Sequence, residues 1–299
     1  MNSIEILRRL VAFETVSRTP NIELIDFVAN LLREAGIEPT IDHAEQGSNA
    51  NLYATIGPDS AGGVMLSGHT DVVPITGQDW HHPPFTLTQT NGRLYGRGTA
   101  DMKGFVACAI RAMCIAAKQR LKTPLHLALS YDEEVGCLGV GRLIDVIRAE
   151  VPTPCAVIVG EPTSMQIANT HKGICVNTTT IHGREAHSSR PQDGVNAIEA
   201  AASFVSFLYH LCDELAKTER DDRFEPPYTT FNAGRIEGGD AVNIIARETR
   251  LNWEFRPIPG ADPDAIAARV NAWVESELLP RMQAKDANAF VETVRDVLV

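Results

Sequence analysis

The sequence predicts an α/β three-layer domain followed by a small α+β domain, and three observations carry that expectation. Through residue 171, short apolar runs alternate with helix-period segments, the pattern of helices covering both faces of a sheet. From residue 174 the order becomes strand, helix, strand, strand, helix, and its first strand is Thr-rich and alternating, as in an antiparallel sheet with one exposed face. A chain of 299 residues has length for about two such domains.

Taken in order, residues 3–13 have helical spacing, with Ile4, Leu7, Leu10 and Val11 on one face and Ser3 as cap. Residues 21–35 form a second amphipathic helix, with Leu24, Phe27, Val28, Leu31 and Leu32 inward and Gly36 past its end. Strands follow at 37–41, 51–56 and 64–66. Residues 79–90 read as a loop. A helix over 103–118 turns Val106, Ala109, Ile110 and Met113 inward. Residues 125–129 and 155–159 are apolar runs of buried-strand type on either side of a helix at 139–148, and 167–171 is a further candidate strand. In the second domain, strands at 174–181, 228–236 and 247–255 accompany helices at 195–215 and 261–279, the last stopped near Pro280. The expected domains are 1–173 and 174–280, with 281–299 as the start of an incomplete return to the first.

Composition narrows the function classes. A net charge of −11 argues against a non-specific nucleic-acid surface. No stretch approaches ~20 consecutive apolar residues and the N-terminus lacks a signal-peptide core, so a cytoplasmic location is expected. None of the six cysteines forms a C-x-x-C pair, so reduced, mostly buried thiols are expected rather than a thiolate metal site. No G-x-G-x-x-G follows a strand, which leaves no nucleotide fingerprint.

The chemistry gathers in four short stretches. Val64, Met65 and Leu66 lead into SGHTDVVP (67–74), and GTADMKG occupies 98–104; apolar runs also precede SYDEEV (130–135) and GEPT (160–163). Ligands of open α/β sheets collect at such C-terminal strand edges. Together these stretches offer His69, Asp71, Asp101, Glu133, Glu134 and Glu161. Imidazole with carboxylates suits zinc, cobalt or manganese, and two divalent ions need a bridging carboxylate. Asp101, between Gly98 and Gly104, is the natural bridge. Asp71 is placed to orient the imidazole of His69. Adjacent Glu133 and Glu134 can divide their work, one binding metal and the other acting as general base on water. The expectation is a metal-dependent hydrolase of amide bonds. His81 and His82 point different ways and read as loop and gate structure. In the second domain, His187 in EAHSSRP, Asn243, and Arg256 in FRPIPG are candidates for holding a substrate, Arg256 by bidentate grip of a carboxylate.

At this point the motifs are recognisable. SGHTDVVP, WHHPPFTLT, GRLYGRGTADMKGF, DEEVG, IVGEPTS, ANTHKG, GREAHSSRPQDGVNAIE, GGDAVNIIA and EFRPIPG resemble the zinc amidohydrolase/peptidase family. That family includes acetylornithine deacetylase, succinyl-diaminopimelate desuccinylase, aminoacylase and glutamate carboxypeptidase. The phrases occur in family order over nearly the whole chain, and GTADMKGF, GEPTS and HKG favour the acetylornithine deacetylase branch. The resemblance implies a three-layer zinc-peptidase-like catalytic domain with an inserted small α+β dimerisation (lid) domain. It implies that His69 and Glu161 ligate one zinc, that Asp101 bridges to a second, and that Glu134 ligates the second; cobalt can substitute. Asp71 then supports His69 and Glu133 is the general base. His187, Asn243 and Arg256 stabilise the oxyanion or hold the substrate carboxylate, with His187 reaching a partner's site in a homodimer. The implied reaction is N2-acetyl-L-ornithine plus water giving L-ornithine and acetate, in arginine biosynthesis.

The resemblance also sets up a departure. The family's catalytic domain resumes after the small domain and supplies a C-terminal histidine to the second zinc, whereas no histidine follows His210 here. On that comparison the chain reads as truncated, with Asp101 and Glu134 the second zinc's only protein ligands and a sheet edge left unpaired. Alternative readings are a related N-acyl-amino-acid amidohydrolase, a succinyl-diaminopimelate desuccinylase, or a catalytically impaired remnant that only dimerises.

Overall fold

The computed structural model describes residues 1–298 apart from Gln46, Ala61 and Pro152. The chain divides into two compact units, Met1–Ile167 and Ala168–Val299.

The first unit runs α1 (Ser3–Ala12), α2 (Ile22–Glu34), β1 (Thr40–His43), β2 (Ala50–Ile56), β3 (Val64–His69), β4 (Thr88–Thr90), β5 (Arg93–Tyr95), α3 (Lys103–Ala116), β6 (Leu125–Ser130), α4 (Val140–Glu150) and β7 (Ala156–Val159). Five strands make one mixed sheet in the order β1-β2-β6-β3-β7. β3 lies at its heart, parallel to β6 on one side and to β7 on the other. β4 and β5 form a separate hairpin that the sequence did not show, β4 ending the stretch 79–90 expected to be loop and β5 lying beyond it. Residues 167–171 are not a strand.

Local chemistry explains the helices. α1 begins on a capping box, in which Asn2 accepts from the Glu5 N–H and Glu5 accepts from the Asn2 N–H. Asn2 is therefore the cap, not Ser3. Ile6, Leu7, Leu10 and Val11 are buried while Ile4 is exposed, because a stripe at i, i+1, i+4, i+5 brings Ile6 to the core and turns Ile4 out. α2 buries Leu24, Ile25, Val28, Ala29 and Leu32, with Phe27 and Leu31 at the edge of the same cluster. α3 presents Val106, Ala109, Ile110 and Met113, and these three helices share one core with Leu52, Leu127 and Leu129 of the sheet. The opposite face is covered by α4, where Leu143 meets Tyr53, Met65 and Ala128.

β7 departs from the buried strand that its composition predicts. Val157, Ile158 and Val159 are each half exposed, at 51%, 50% and 57%. β7 is an edge strand, and among the described residues β3 is its one paired neighbour. The cysteines depart in the same way. All six are free, yet only Cys175 is buried, and Cys108 and Cys155 are exposed. Cys155 immediately precedes the open edge strand.

The second unit runs β8 (Cys175–His182), α5 (Ala197–Thr218), β9 (Thr230–Gly238), β10 (Glu248–Arg256), α6 (Pro263–Trp273), α7 (Leu279–Gln283) and β11 (Phe290–Leu298). Its sheet has the order β11-β8-β10-β9, the split βαβ arrangement in which two helices cover one face. The core joins Phe204, Leu208 and Leu211 of α5 to Trp253 and Phe255 of β10 and to Ile266 and Val270 of α6. Pro280 does not end the second helix. A π-helical turn at Val274–Leu278 separates α6 from α7, and Pro280 falls in the first turn of α7, where its missing N–H is tolerated.

The largest difference from expectation is at the end of the chain. Residues 281–298 do not begin a return to the first unit. β11 pairs antiparallel with β8 from Phe290↔His182 to Leu298↔Cys175 and completes the second unit's sheet; Val299 lies outside the described residues. Val291 packs against the shared core, and the Thr293 and Thr179 hydroxyls lie 2.9 Å apart in a hydrogen bond. The pattern is hard to read because the face bearing Phe290 and Val294 is exposed and a register shift between Arg295 and Val297 breaks the alternation. Among the described residues, no helix is long and apolar enough to cross a membrane.

An apolar, open edge strand is a template for pairing with other chains. Ile158→Lys is expected to lower concentration-dependent light scattering of the purified protein without lowering its melting temperature. Unchanged scattering would place self-association elsewhere.

Candidate metal centre

The centre lies at the C-terminal edge of the first unit's sheet. β3 ends on His69, and parallel β6 ends on Ser130 directly beside it. β7 ends just before Gly160 and Glu161, so three neighbouring strands release their next residues at one edge. Asp101 precedes α3, and the Asp101–Met102 peptide is cis.

His69 is fully buried and its two nitrogens are differently engaged. Nδ1 donates to the backbone carbonyl of Asp71 at 3.0 Å, with the Asp71 carboxylate 3.4 Å away. That leaves Nε2 as the nitrogen free to bind a metal once it gives up its proton. Nε2 lies 3.1 Å from Asp101, 3.7 Å from Glu161 and 4.0 Å from Glu133. Ligand atoms of His69, Glu133 and Glu161 fall within 4.8 Å of one another, and so do those of His69, Asp101 and Glu134. The six residues singled out in the first unit thus meet in one place. Glu133 shares a candidate ligand group with Glu161. The adjacent histidines stay outside these groups, and His82 packs its ring on Tyr95 at 5.1 Å.

Crowding like charges perturbs the centre. Burial pushes the Glu134 carboxyl up, and the charges of Asp101 and Glu133 add to this against His69. Burial does the same to Glu161, where His69 opposes and Asp101 and Glu133 reinforce. For His69, burial alone would lower the pKa, but the Asp71 hydrogen bond and the charges of Asp71, Glu133 and Glu161 outweigh it and raise it to about 9. Four carboxylates, Asp101, Glu133, Glu134 and Glu161, and one imidazole nitrogen, none neutralised by Lys or Arg among the described ion pairs, form a donor set suited to divalent cations.

Asp71 reaches further than orienting His69. Burial would raise its pKa, yet hydrogen bonds from His69, Ser17 and the Glu133 N–H hold it below the usual carboxylate range. Lys103 was legible only as a helix residue, but it is fully buried and donates to the Phe13 carbonyl at 2.8 Å. Burial lowers its pKa to about 7, opposed by the charge of Asp71. Ser17 and Asp132 also escaped sequence reasoning, because a serine in a turn and an aspartate before two glutamates carry no spacing signal. Gly160 has a readable role: a Cβ there would enter the Phe105 ring.

The second-unit candidates separate into two groups. His187 bridges Ile244, and the Ser188 N–H donates to the Asn243 carbonyl at 3.0 Å, so His187 and Asn243 lie on adjoining segments. These segments prolong the β8–β10 ladder past its His182↔Glu248 end, whereas Arg256 follows its Phe255↔Cys175 end. At about 3.3 Å per residue, β10 alone holds the two ends roughly 26 Å apart. Arg256 is paired with Glu254 at 3.1 Å rather than standing free. Within one chain, Arg256 and His187 cannot grip the same small molecule.

Residues 65–295 match the family described as Peptidase family M20/M25/M40. The chain belongs to this family. Solved structures repeat the fold of this M20 chain. An M20 family metallo-carboxypeptidase from Sulfolobus solfataricus is 17% identical with a TM-score of 0.72, covering 100% of this chain and 79% of that one. A di-peptidase from Saccharomyces cerevisiae is 16% identical at 0.70, covering 99% and 77%. A dinuclear metal-binding M20 peptidase from Bacillus subtilis is 15% identical at 0.60, covering 98% and 72%. The chain is thus an M20-family, metal-dependent hydrolase of the peptidase and amidohydrolase class.

Two outcomes follow for the centre. A His69 raised above its unfolded value of about 6.5 stabilises the metal-free fold fully below that pH, and this contribution is lost as pH rises through about 9. In EDTA, the stability gap between wild type and His69→Asn should therefore shrink between pH 6 and pH 9.5, by on the order of 3 kcal/mol, in denaturant melts. A constant gap would contradict this. Gly160→Ala should displace Glu161 or Phe105 and weaken divalent-metal affinity about tenfold, read by competition with a chromophoric chelator.

Proposed function

We propose that this M20 chain hydrolyses the amide bond of N2-acetyl-L-ornithine, giving L-ornithine and acetate. The observation that carries the hydrolase reading is His69 Nε2 facing Asp101 at 3.1 Å and Glu161 at 3.7 Å, with Glu133 and Glu134 completing two ligand groups. The choice of an acetylated diamino acid rests on the wording of GTADMKGF, GEPTS and HKG.

Two divalent ions fit this donor set, zinc first and cobalt as a substitute. When bound they supply Lewis-acid polarisation of the amide carbonyl and acidify water. His69 and Glu161 would hold one, Glu134 the other, and Asp101 would serve both. Glu133 takes the proton of the attacking water and returns it to the leaving amine. Asp71 keeps His69 in the required tautomer. Arg256 serves the substrate carboxylate, once it exchanges Glu254 for the ligand, at the end of the sheet away from His187 and Asn243. That separation favours a homodimer assembled through the second unit, in which the two groups serve different substrate molecules. A cytoplasmic enzyme of arginine biosynthesis goes with this substrate.

The test is ornithine release from N2-acetyl-L-ornithine by the purified chain with zinc or cobalt added. Glu133→Gln should lower kcat by roughly 10²–10⁴-fold while leaving metal affinity within about threefold. Faster release from another N-acyl amino acid or from succinyl-diaminopimelate would move the substrate within the family. Amine release that survives Glu133→Gln would remove Glu133 from its role.

A further inference from the structure

Three segments remote in sequence meet behind the metal centre and are tied to one another in a ring. The Asp71 carboxylate, after β3, accepts from the backbone N–H of Glu133 at 3.0 Å and of Glu134 at 3.3 Å. The Asp132 carboxylate, at the head of that loop, accepts from the backbone N–H of Arg18 at 2.6 Å, and the Asn49 amide lies 3.5 Å from its other oxygen. The Ser17 hydroxyl, one residue before Arg18, donates back to Asp71 at 2.7 Å. Each segment thus supplies a side chain that holds the next.

The backbone at two of the junctions needs such holding. Asp132 (φ 53°) and Arg18 (φ 67°) both sit in the left-handed region, which disfavours residues with a Cβ and persists where the surroundings over-determine it. At Asp132 this turn directs two successive N–H groups, of Glu133 and Glu134, at one carboxylate. Asp71 and Asp132 are both buried. The segment that carries Ser17 is itself sewn to the same edge. The Thr15 hydroxyl donates to the Thr70 carbonyl at 2.6 Å, and Val72 N–H donates to Thr15 and Ser17 N–H to Val72, at 2.9 and 3.0 Å.

We propose that Ser17 and Asp132 are positioning residues, closing with Asp71 a three-segment brace that fixes Glu133 and Glu134 against their mutual repulsion. The inference rests on the metal-hydrolase reading and adds to it the residues that set the base and one ligand in place. Neither Ser17 nor Asp132 touches the ligand positions; both act through Asp71 and the backbone of the glutamate pair. A serine hydroxyl here is worth more than a packed methyl group, because it fills an acceptor position on a buried carboxylate that would otherwise be unpaired.

The test compares Ser17→Ala, Ser17→Thr and Asp132→Asn with wild type by two readouts. Hydrogen–deuterium exchange of the peptide spanning 131–137, in EDTA, reads the brace without metal or substrate. It should quicken about tenfold in Ser17→Ala and stay within twofold in Ser17→Thr, while the peptide over 50–56 is unchanged in both. Zinc and cobalt affinity by chelator competition, with kcat and KM, reads positioning. Ser17→Ala should weaken the more weakly held ion and lower kcat about tenfold with KM within twofold, and Ser17→Thr should restore both. Asp132→Asn keeps an acceptor for Arg18 and should fall between the two. Exchange at 131–137 that is unchanged in Ser17→Ala overturns the brace. Quickened exchange with unchanged metal affinity and kcat overturns its positioning role. A wild-type chain that binds neither ion withdraws the metal reading and with it the positioning role, while the exchange arm still decides the brace.

Discussion

Repulsion among five carboxylates around one buried imidazole is the constraint that the first unit is built to satisfy. Unit charges 4 Å apart interact by roughly 4 kcal/mol at the effective dielectric of a protein surface. Asp71, Asp101, Glu133, Glu134 and Glu161 crowd His69 closely enough that Glu134 and Glu161 are pushed toward their protonated forms. Such a cluster persists only where the backbone leaves it no room to disperse. Parallel β3, β6 and β7 end beside one another, and the residues that follow them inherit that rigidity.

Asp71 separates the two jobs such a site requires. Its backbone carbonyl and carboxylate both face Nδ1 of His69, and the same carboxylate also binds the glutamate loop and Ser17. One residue therefore sets the tautomer of the imidazole and the position of the opposing carboxylates. It remains ionised while its neighbours are pushed up because it accepts several hydrogen bonds and they accept few.

The second unit obeys a different logic. Its sheet is closed at one edge by β11, and its core is aromatic, with Phe204 edge-on to Trp253 and Phe207 stacked on Trp273. Its polar candidates lie at opposite ends of a long antiparallel ladder. A small molecule cannot span that distance, so His187 with Asn243 and Arg256 cannot hold one such molecule within a single chain.

The sequence by itself determined the two-domain α/β and α+β architecture, the main helices and the strands other than β4, β5 and β11. It also determined the six residues of the centre, because each of these signals is local. Apolar periods of two and 3.6 residues report which face is buried, strand-edge placement brings His69, Glu134 and Glu161 together, and the start of the helix behind the sheet brings Asp101 to them. What it could not show were properties set by neighbours far away in the chain. β11 escaped because an exposed face and a register shift hide its alternation, and β7 reads as buried because composition does not say which strand lies at an edge. Ser17, Asp132 and Lys103 carry no pattern at all; their roles arise only when residues more than fifty positions apart are brought within hydrogen-bonding distance. Tertiary structure alone decided those contacts, since a buried carboxylate or ammonium takes whichever donors and acceptors the fold delivers to it.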